Sequence, residues 1–287
     1  MGLAVGYALN GLVLGALYVL VAVGLTLVFG VLRIPHFAHG VFVMVAAYLT
    51  FALVVAMGWN LLVAAPVVIV ALGLLGLVLE RVVYRPLGRS GELALMLAAF
   101  AVNQFVQGGF QKFFGQEYAR QVSFPLDGSV SLGGVTLSVQ RVIALVVALA
   151  ATAVLAWAVR HTKFGRATRA VAEDPDAARI SGINVDWVHR WVFVIATALA
   201  GLAGLLLATF VPITPFLGDQ PLLVAFAIVV VGGMGSVVGA TVVGLALGVV
   251  ESLLAGFGSQ SWSSAVVFLI IFVALIARPN GVQGARV

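Results

Sequence analysis

His36 and His39 are the first residues whose type and spacing could do chemistry, because two imidazoles three residues apart can share a helix face and hold a metal. The zinc-protease pattern, however, sets its histidines four apart around a glutamate, and Phe37-Ala38 supplies none. Ser236 follows Gly-Met-Gly, which is not the G-x-S-x-G nucleophile elbow, and no base is recognisable for it. With no cysteine in the chain, disulfides, thiol catalysis and thiolate metal sites are excluded together. No phosphate-cradling loop of the form G-x-x-x-x-G-K-S/T occurs, so ATP is not hydrolysed by that mechanism. The residues read as those of a protein that is not an enzyme and carries neither metal nor cofactor.

Polar residues inside apolar runs say more. Asn103, Gln104, Gln107 and Gln111 recur at three- and four-residue spacing, which on a helix makes one amide stripe. Glu251 is the one acidic residue deep in an apolar run. Such groups inside a membrane face the bundle interior, a partner or a water-filled path. The competing reading is hydrogen bonding between helices.

The elements that position these residues are membrane helices. Hydrophobic residues make up 63% of the 287 and charged residues 9%, with a mean hydropathy of +1.19. A soluble domain of this composition would expose far more apolar surface than monomers tolerate. Nine apolar stretches run from Ala8 to Leu32, Val41 to Met57, Leu61 to Leu79, Leu93 to Phe110, Val142 to Val159, Trp191 to Val211, Leu222 to Val231, Val237 to Leu254 and Ala265 to Ala277. Several reach the roughly 20 residues a spanning helix needs. The expected fold is all-α, a polytopic bundle of about eight or nine spans, since the seventh stretch is short. The first stretch has no basic residue before it, unlike a cleavable signal peptide, and is expected to remain.

Basic residues mark the cytoplasmic side. Twelve of the fifteen fall in one set of loops: Arg33; Arg81, Arg85 and Arg89; six between Arg160 and Arg190; and Arg278 and Arg286. Lys112, Arg120 and Arg141 flank the loop at about 113–140, which is therefore expected outside. The pI near 10.1 reports this topology and not nucleic-acid binding, because no compact basic domain with interleaved aromatics exists.

Two local features stand out. A continuous helix from Leu222 to Leu254 would be about 50 Å long against a hydrocarbon core of about 30 Å. A break is expected at Gly232, Gly233 and Gly235. The polar island from Arg160 to Arg190 carries six basic and four acidic residues. Good helix formers run from Gly165 to Glu173, Asp174 can cap a second helix with Pro175 at its first position, and Gly182 supplies the stop. Small residues at Ala167, Ala170, Ala177 and Ala178 with flanking charges suit a surface that enters a cleft on a partner; a solvated amphipathic loop is the other reading.

The island resembles the cytoplasmic coupling loop of the branched-chain amino acid ABC transporter permeases, the LivH/LivM family. Their pattern G-R-A-x-R-A, then A-A, then G-I-x-V is present as Gly165-Arg166-Ala167, Arg169-Ala170, Ala177-Ala178 and Gly182-Ile183-Asn184-Val185. Asn10-Gly11 through Gly15, Tyr18 and Gly24 to Gly30 resemble the family's first span, and Gly232 to Ser236 with Gly239-Ala240 its glycine break. Phe37-Ala38-His39-Gly40 and Arg278-Pro279-Asn280-Gly281 also match, so the similarity covers essentially the whole chain, with a start closest to the LivH type. His36 stands where the family usually has asparagine, and the family extends to importers of urea, amides and other small solutes.

The resemblance implies one transmembrane permease domain over 1–287 in a bacterial or archaeal inner membrane, with a coupling loop at 160–190. It implies that Gly165, Arg166, Ala167, Arg169, Ala170, Glu173, Asp174, Ala177, Ala178 and Gly182 couple to an ATPase. Asn10, Thr26 and His39 lie in matching segments and join Asn103, Gln104, Gln107 and Glu251 as candidate pathway residues. Implied partners are a second permease subunit, two ATPases, an external solute-binding protein and the bilayer. A self-contained secondary transporter or channel is the alternative. It would place coupling ionisable residues at the midplane, where only Glu251 is a candidate, and no inverted repeat is evident.

Overall fold

In the computed structural model of this chain the apolar stretches fold as helices. The structure describes residues 2–32, 36–88, 90–115, 121–125, 128–132 and 135–258, together with 265, 269, 272, 273 and 276. The long helices are α1 (Gly2–Leu32), α2 (His39–Phe51), α3 (Leu61–Leu79), α5 (Glu92–Phe114), α6 (Val139–His161), α9 (Val185–Leu207) and α11 (Val237–Phe257). Each of α2 and α3 continues through a wider π-helical turn, Ala52–Ala56 and Glu80–Tyr84, and the second runs into the single turn α4 (Arg85–Leu87). Seven helices among the described residues are long and apolar enough to cross a membrane; α10 (Asp219–Gly232) is shorter. Of the last predicted stretch, Ala265–Ala277, only 265, 269, 272, 273 and 276 are among the described residues.

α1 is the central post. Its residues from Ala16 to Val23 are all buried, and α11 runs antiparallel along it. The two backbones approach so closely that a Cβ on Gly15 would stand 2.8 Å from the Gly244 carbonyl oxygen, and one on Gly248 would overlap the backbone of Gly15. With no hydrophobic drive between helices in lipid, such close van der Waals contact is what holds them together. Gly244 and Gly248, four residues apart on one face of α11, are therefore packing positions. α3 instead presents Leu62, Val70, Leu74 and Val78 outward, an apolar face that in a bilayer meets lipid.

The break at Gly232–Gly235 is present. Gly233 (φ +98°) and Gly235 (φ +83°) turn the chain through conformations that β-carbon-bearing residues resist, and the Ser236 side chain then accepts from Gly239 N to start α11. α10 and α11 form a tight hairpin in which Gly239 lies directly on the Gly232 carbonyl. The loop at 113–140 is not wholly irregular. Ser129–Leu132 (β1) and Val135–Ser138 (β2) pair antiparallel as a small hairpin on the otherwise all-α bundle. The signal was there: two short β-branched runs around Gly133-Gly134 read as a hairpin.

Distant basic segments gather at two ends. Arg85 on α4 pairs with Asp186 at the start of α9 at 3.0 Å, joining two loops assigned to the cytoplasm. At the other end Arg141 donates to Asn10 and Gln140 donates to the Thr209 carbonyl. A cysteine placed at exposed Ser129 is expected to react with an impermeant thiol reagent applied to intact cells, and one at exposed Ser181 is not. The opposite labelling pattern reverses the orientation.

Candidate functional site

The amide stripe on α5 lines a cavity of about 560 Å³ that also takes in Phe37, Asp219 and Leu222. Asn103, Gln104 and Gln107 all face it. Gln107 is 7% exposed, and its amide nitrogen donates to Asp219 Oδ2 at 3.1 Å and to the Pro215 carbonyl at 3.1 Å. Two helix starts meet beside this cavity. A Cβ on Gly40, at the start of α2, would stand 2.7 Å from the carbonyl oxygen of Gly218, which precedes α10. Asp219 is the first residue of α10, where the positive end of the helix dipole favours a carboxylate. The dipole and the Gln107 amide together stabilise a carboxylate at this position. Asp219 was missed in the sequence because Gln107, 112 residues away, had to be brought to it.

The other candidate pathway residues are elsewhere. Asn10 lies with Arg141 at the end assigned to the outside. Thr26 is fully buried, its hydroxyl donating back to the Ala22 carbonyl of its own helix at 2.7 Å. His39 is fully buried beside Gly24, and His36 is hydrogen-bonded to the Tyr84 hydroxyl in the turn before α2, so the two do not share a helix face. No group of three His, Asp or Glu that could hold a metal exists among the described residues. Glu251 is buried and receives long hydrogen bonds from Tyr18 Oη (3.4 Å) and Gln220 Nε2 (3.5 Å), a link between α1, α10 and α11.

At the end assigned to the cytoplasm, the island forms α7 (Lys163–Glu173) and α8 (Pro175–Ile180). α7 is fixed to the end of α6. Gly165 sits so close to the Val159 carbonyl that any side chain would overlap it, and the Arg169 guanidinium donates to that same oxygen. Thr162 caps α7 by accepting from Gly165 N at 3.2 Å. The second helix follows the local rules closely. Asp174 accepts from Asp176 N (2.8 Å) and Ala177 N (3.0 Å), and at the far end Ile183 N donates to the Ala178 carbonyl and Gly182 N to that of Arg179. This double closure needs the left-handed Gly182 (φ +82°).

The faces of these helices differ from expectation in one respect. Ala178 is 4% exposed and packs into this chain's own core, so it is not presented to a partner. Ala177, Arg166 and Glu173 are exposed, and Ile180, which the sequence reading passed over, is 90% exposed.

A polytopic helical bundle with an interrupted helix, an open amide-lined groove and a capped helix pair at one end is the architecture of a membrane permease. The chain belongs to the family described as the permease component of the branched-chain amino acid transport system, which residues 7–275 match. It is 35% identical over 293 residues to the high-affinity branched-chain amino acid transport system permease protein LivH of Escherichia coli K12, spanning 96% of this chain and 94% of that one. It is 32% identical over 288 residues to the permease protein BraD of Pseudomonas aeruginosa, with the same coverage. It is 28% identical over 283 residues to a probable LivH of Methanocaldococcus jannaschii, spanning 93% and 89%. No solved structure matches it.

Proposed function

We propose that this chain is one permease subunit of a binding-protein-dependent ABC importer that carries branched-chain amino acids, or a related small polar solute, across a bacterial or archaeal inner membrane. The observation that carries the reading is the cavity at Asn103, Gln104, Gln107 and Asp219, in a chain similar to its relatives over nearly its full length. A zwitterion has an ammonium group for the Asp219 carboxylate and a carboxylate for the amide nitrogens, while Phe37 and Leu222 offer an apolar wall to an aliphatic side chain. Amides bind without trapping, which a transit site requires.

The chain has no ATP-hydrolysing loop, so energy comes from separate ATPases, two by analogy with the family, acting with a second permease subunit and an external solute-binding protein. The helix pair α7–α8 is their docking element. Its capped, cross-braced construction transmits a rigid-body movement that a loose loop would absorb.

In the reconstituted complex, Gln107→Leu removes the donor to Asp219 and is expected to reduce initial uptake about tenfold or more, because a hydrogen bond to a charged group contributes on the order of 1.5–3 kcal/mol. Asn103→Leu is expected to impair uptake less, since no partner is lost with it. Both variants should assemble normally on gel filtration. Wild-type uptake in both would show that the stripe serves only helix packing.

A further inference from the structure

A second cavity, about 540 Å³, lies at the opposite end of the bundle between the end of α3 and the start of α9, with α8 as one wall. Nothing in the transport path uses it. Glu80 lines it at 4% exposure, and its Oε2 is shielded and has no hydrogen-bond partner among the described residues. His189 lines the same cavity, with Nε2 equally shielded and unpartnered. Burying a polar group without a partner is costly, and a buried carboxylate more so, so a cavity lined by two residues that each carry such an atom suits a polar guest.

The lining defines that guest. Glu80 offers a site for a cation, while Arg179 on α8 offers a forked donor for a carboxylate; Arg85, also in the lining, is already paired there with Asp186. Arg179 is held only by an exposed pair with Asp176, which is worth little in water and leaves the side chain able to turn. Leu32 and Leu95 supply an apolar wall between the two charges. Opposite charges across a short apolar surface match an aliphatic α-amino acid.

We propose that this cavity is a regulatory site for a free aliphatic α-amino acid, reached from the cytoplasm and distinct from the transport path. The choice of ligand and of side rests on the function proposed above. A guest held by Glu80 of the bundle and Arg179 of α8 stabilises the arrangement in which the two stand together. Any ATP-driven movement of α8 must break those contacts, so occupancy slows import as the internal amino acid accumulates.

The test uses the full complex in proteoliposomes with enclosed ATP, the lumen preloaded with unlabelled leucine or with mannitol. Initial uptake of labelled leucine by the wild type is expected to fall about fivefold or more with the leucine lumen. Glu80→Gln is expected to match wild type in mannitol vesicles and to lose the slowing. Leu95→Trp, which fills the cavity, should lose it as well and guards against a folding defect in the first variant. An unslowed wild type, or equal slowing in both variants, overturns the site. Equilibrium dialysis of labelled leucine against the detergent-solubilised complex decides the matter independently of transport, because Glu80→Gln must remove bound leucine that Gln107→Leu retains. Absence of leucine uptake even in mannitol vesicles counts against the proposed transport function instead, and the dialysis result still judges the cavity.

Discussion

Gly239→Val is expected to remove the permease from the membrane complex almost entirely. A β-carbon at Gly239 would overlap the Gly232 carbonyl oxygen, and neither strand of the hairpin can retreat. Gly235 is already pressed on Gly30 of α1, where a Cβ on Gly30 would lie 2.8 Å from the Gly235 Cα, and the turn itself is committed to positive φ at Gly233 and Gly235. Opening the hairpin would also pull α11 off α1, whose contact at Gly11, Gly15, Gly244 and Gly248 depends on backbone proximity. Forcing side-chain atoms into packed space costs about 1–3 kcal/mol when neighbours can shift, and more when they are backbone. The measurement is thermal stability and recovery of the purified complex, with Val242→Ala on the outward face of the same helix expected to behave as wild type. Normal recovery of Gly239→Val would mean that the hairpin is looser than its geometry states.

Ile180→Asp and Ala177→Trp are expected to uncouple the ATPase while leaving the permease in the membrane. Both side chains project from α8 away from this chain's core, so neither change disturbs the internal fold. A buried apolar anchor at an interface contributes on the order of 2 kcal/mol, and placing a charge there costs at least as much, so uptake should drop about tenfold or more. Co-purification of the ATPase and solute-stimulated ATP hydrolysis should fall together with uptake. Ala178→Trp is the contrasting case. Because Ala178 is packed inside, its enlargement should lower stability before it affects docking. Wild-type ATPase retention in Ile180→Asp would show that α8 is not the docking surface.

How much of this could be read from residues alone follows from the range of the interactions involved. The two short helices of the island were legible because a cap is a local event. Asp174 needs only the amides two and three residues ahead, and Gly182 needs only the last turn behind it. The glycine break was legible because three glycines within four residues interrupt an apolar run about 50 Å long, and glycine alone turns freely through positive φ. The amide stripe was visible as a periodicity, yet its partner Asp219 was not, because helix spacing says which side chains share a face and not which face another helix brings to it. For the same reason Asn10, Thr26 and Glu251 looked equivalent in the sequence. Folding then gave them an outer pairing with Arg141, a bond within one helix and a three-helix junction.

By itself the sequence determined the solvent, the helices and the local shape of the island from Arg160 to Arg190. All of these follow from composition or from contacts within a few residues. Only the tertiary structure decided that Ala178 turns inward while Ile180 turns out, that α1 is the post against which α11 is laid glycine to glycine, and that Glu80 and His189 face one cavity. In lipid every helix is apolar on most of its surface, so hydropathy cannot tell a lipid-facing side from a buried one. That distinction arises only when close packing between particular backbones selects it.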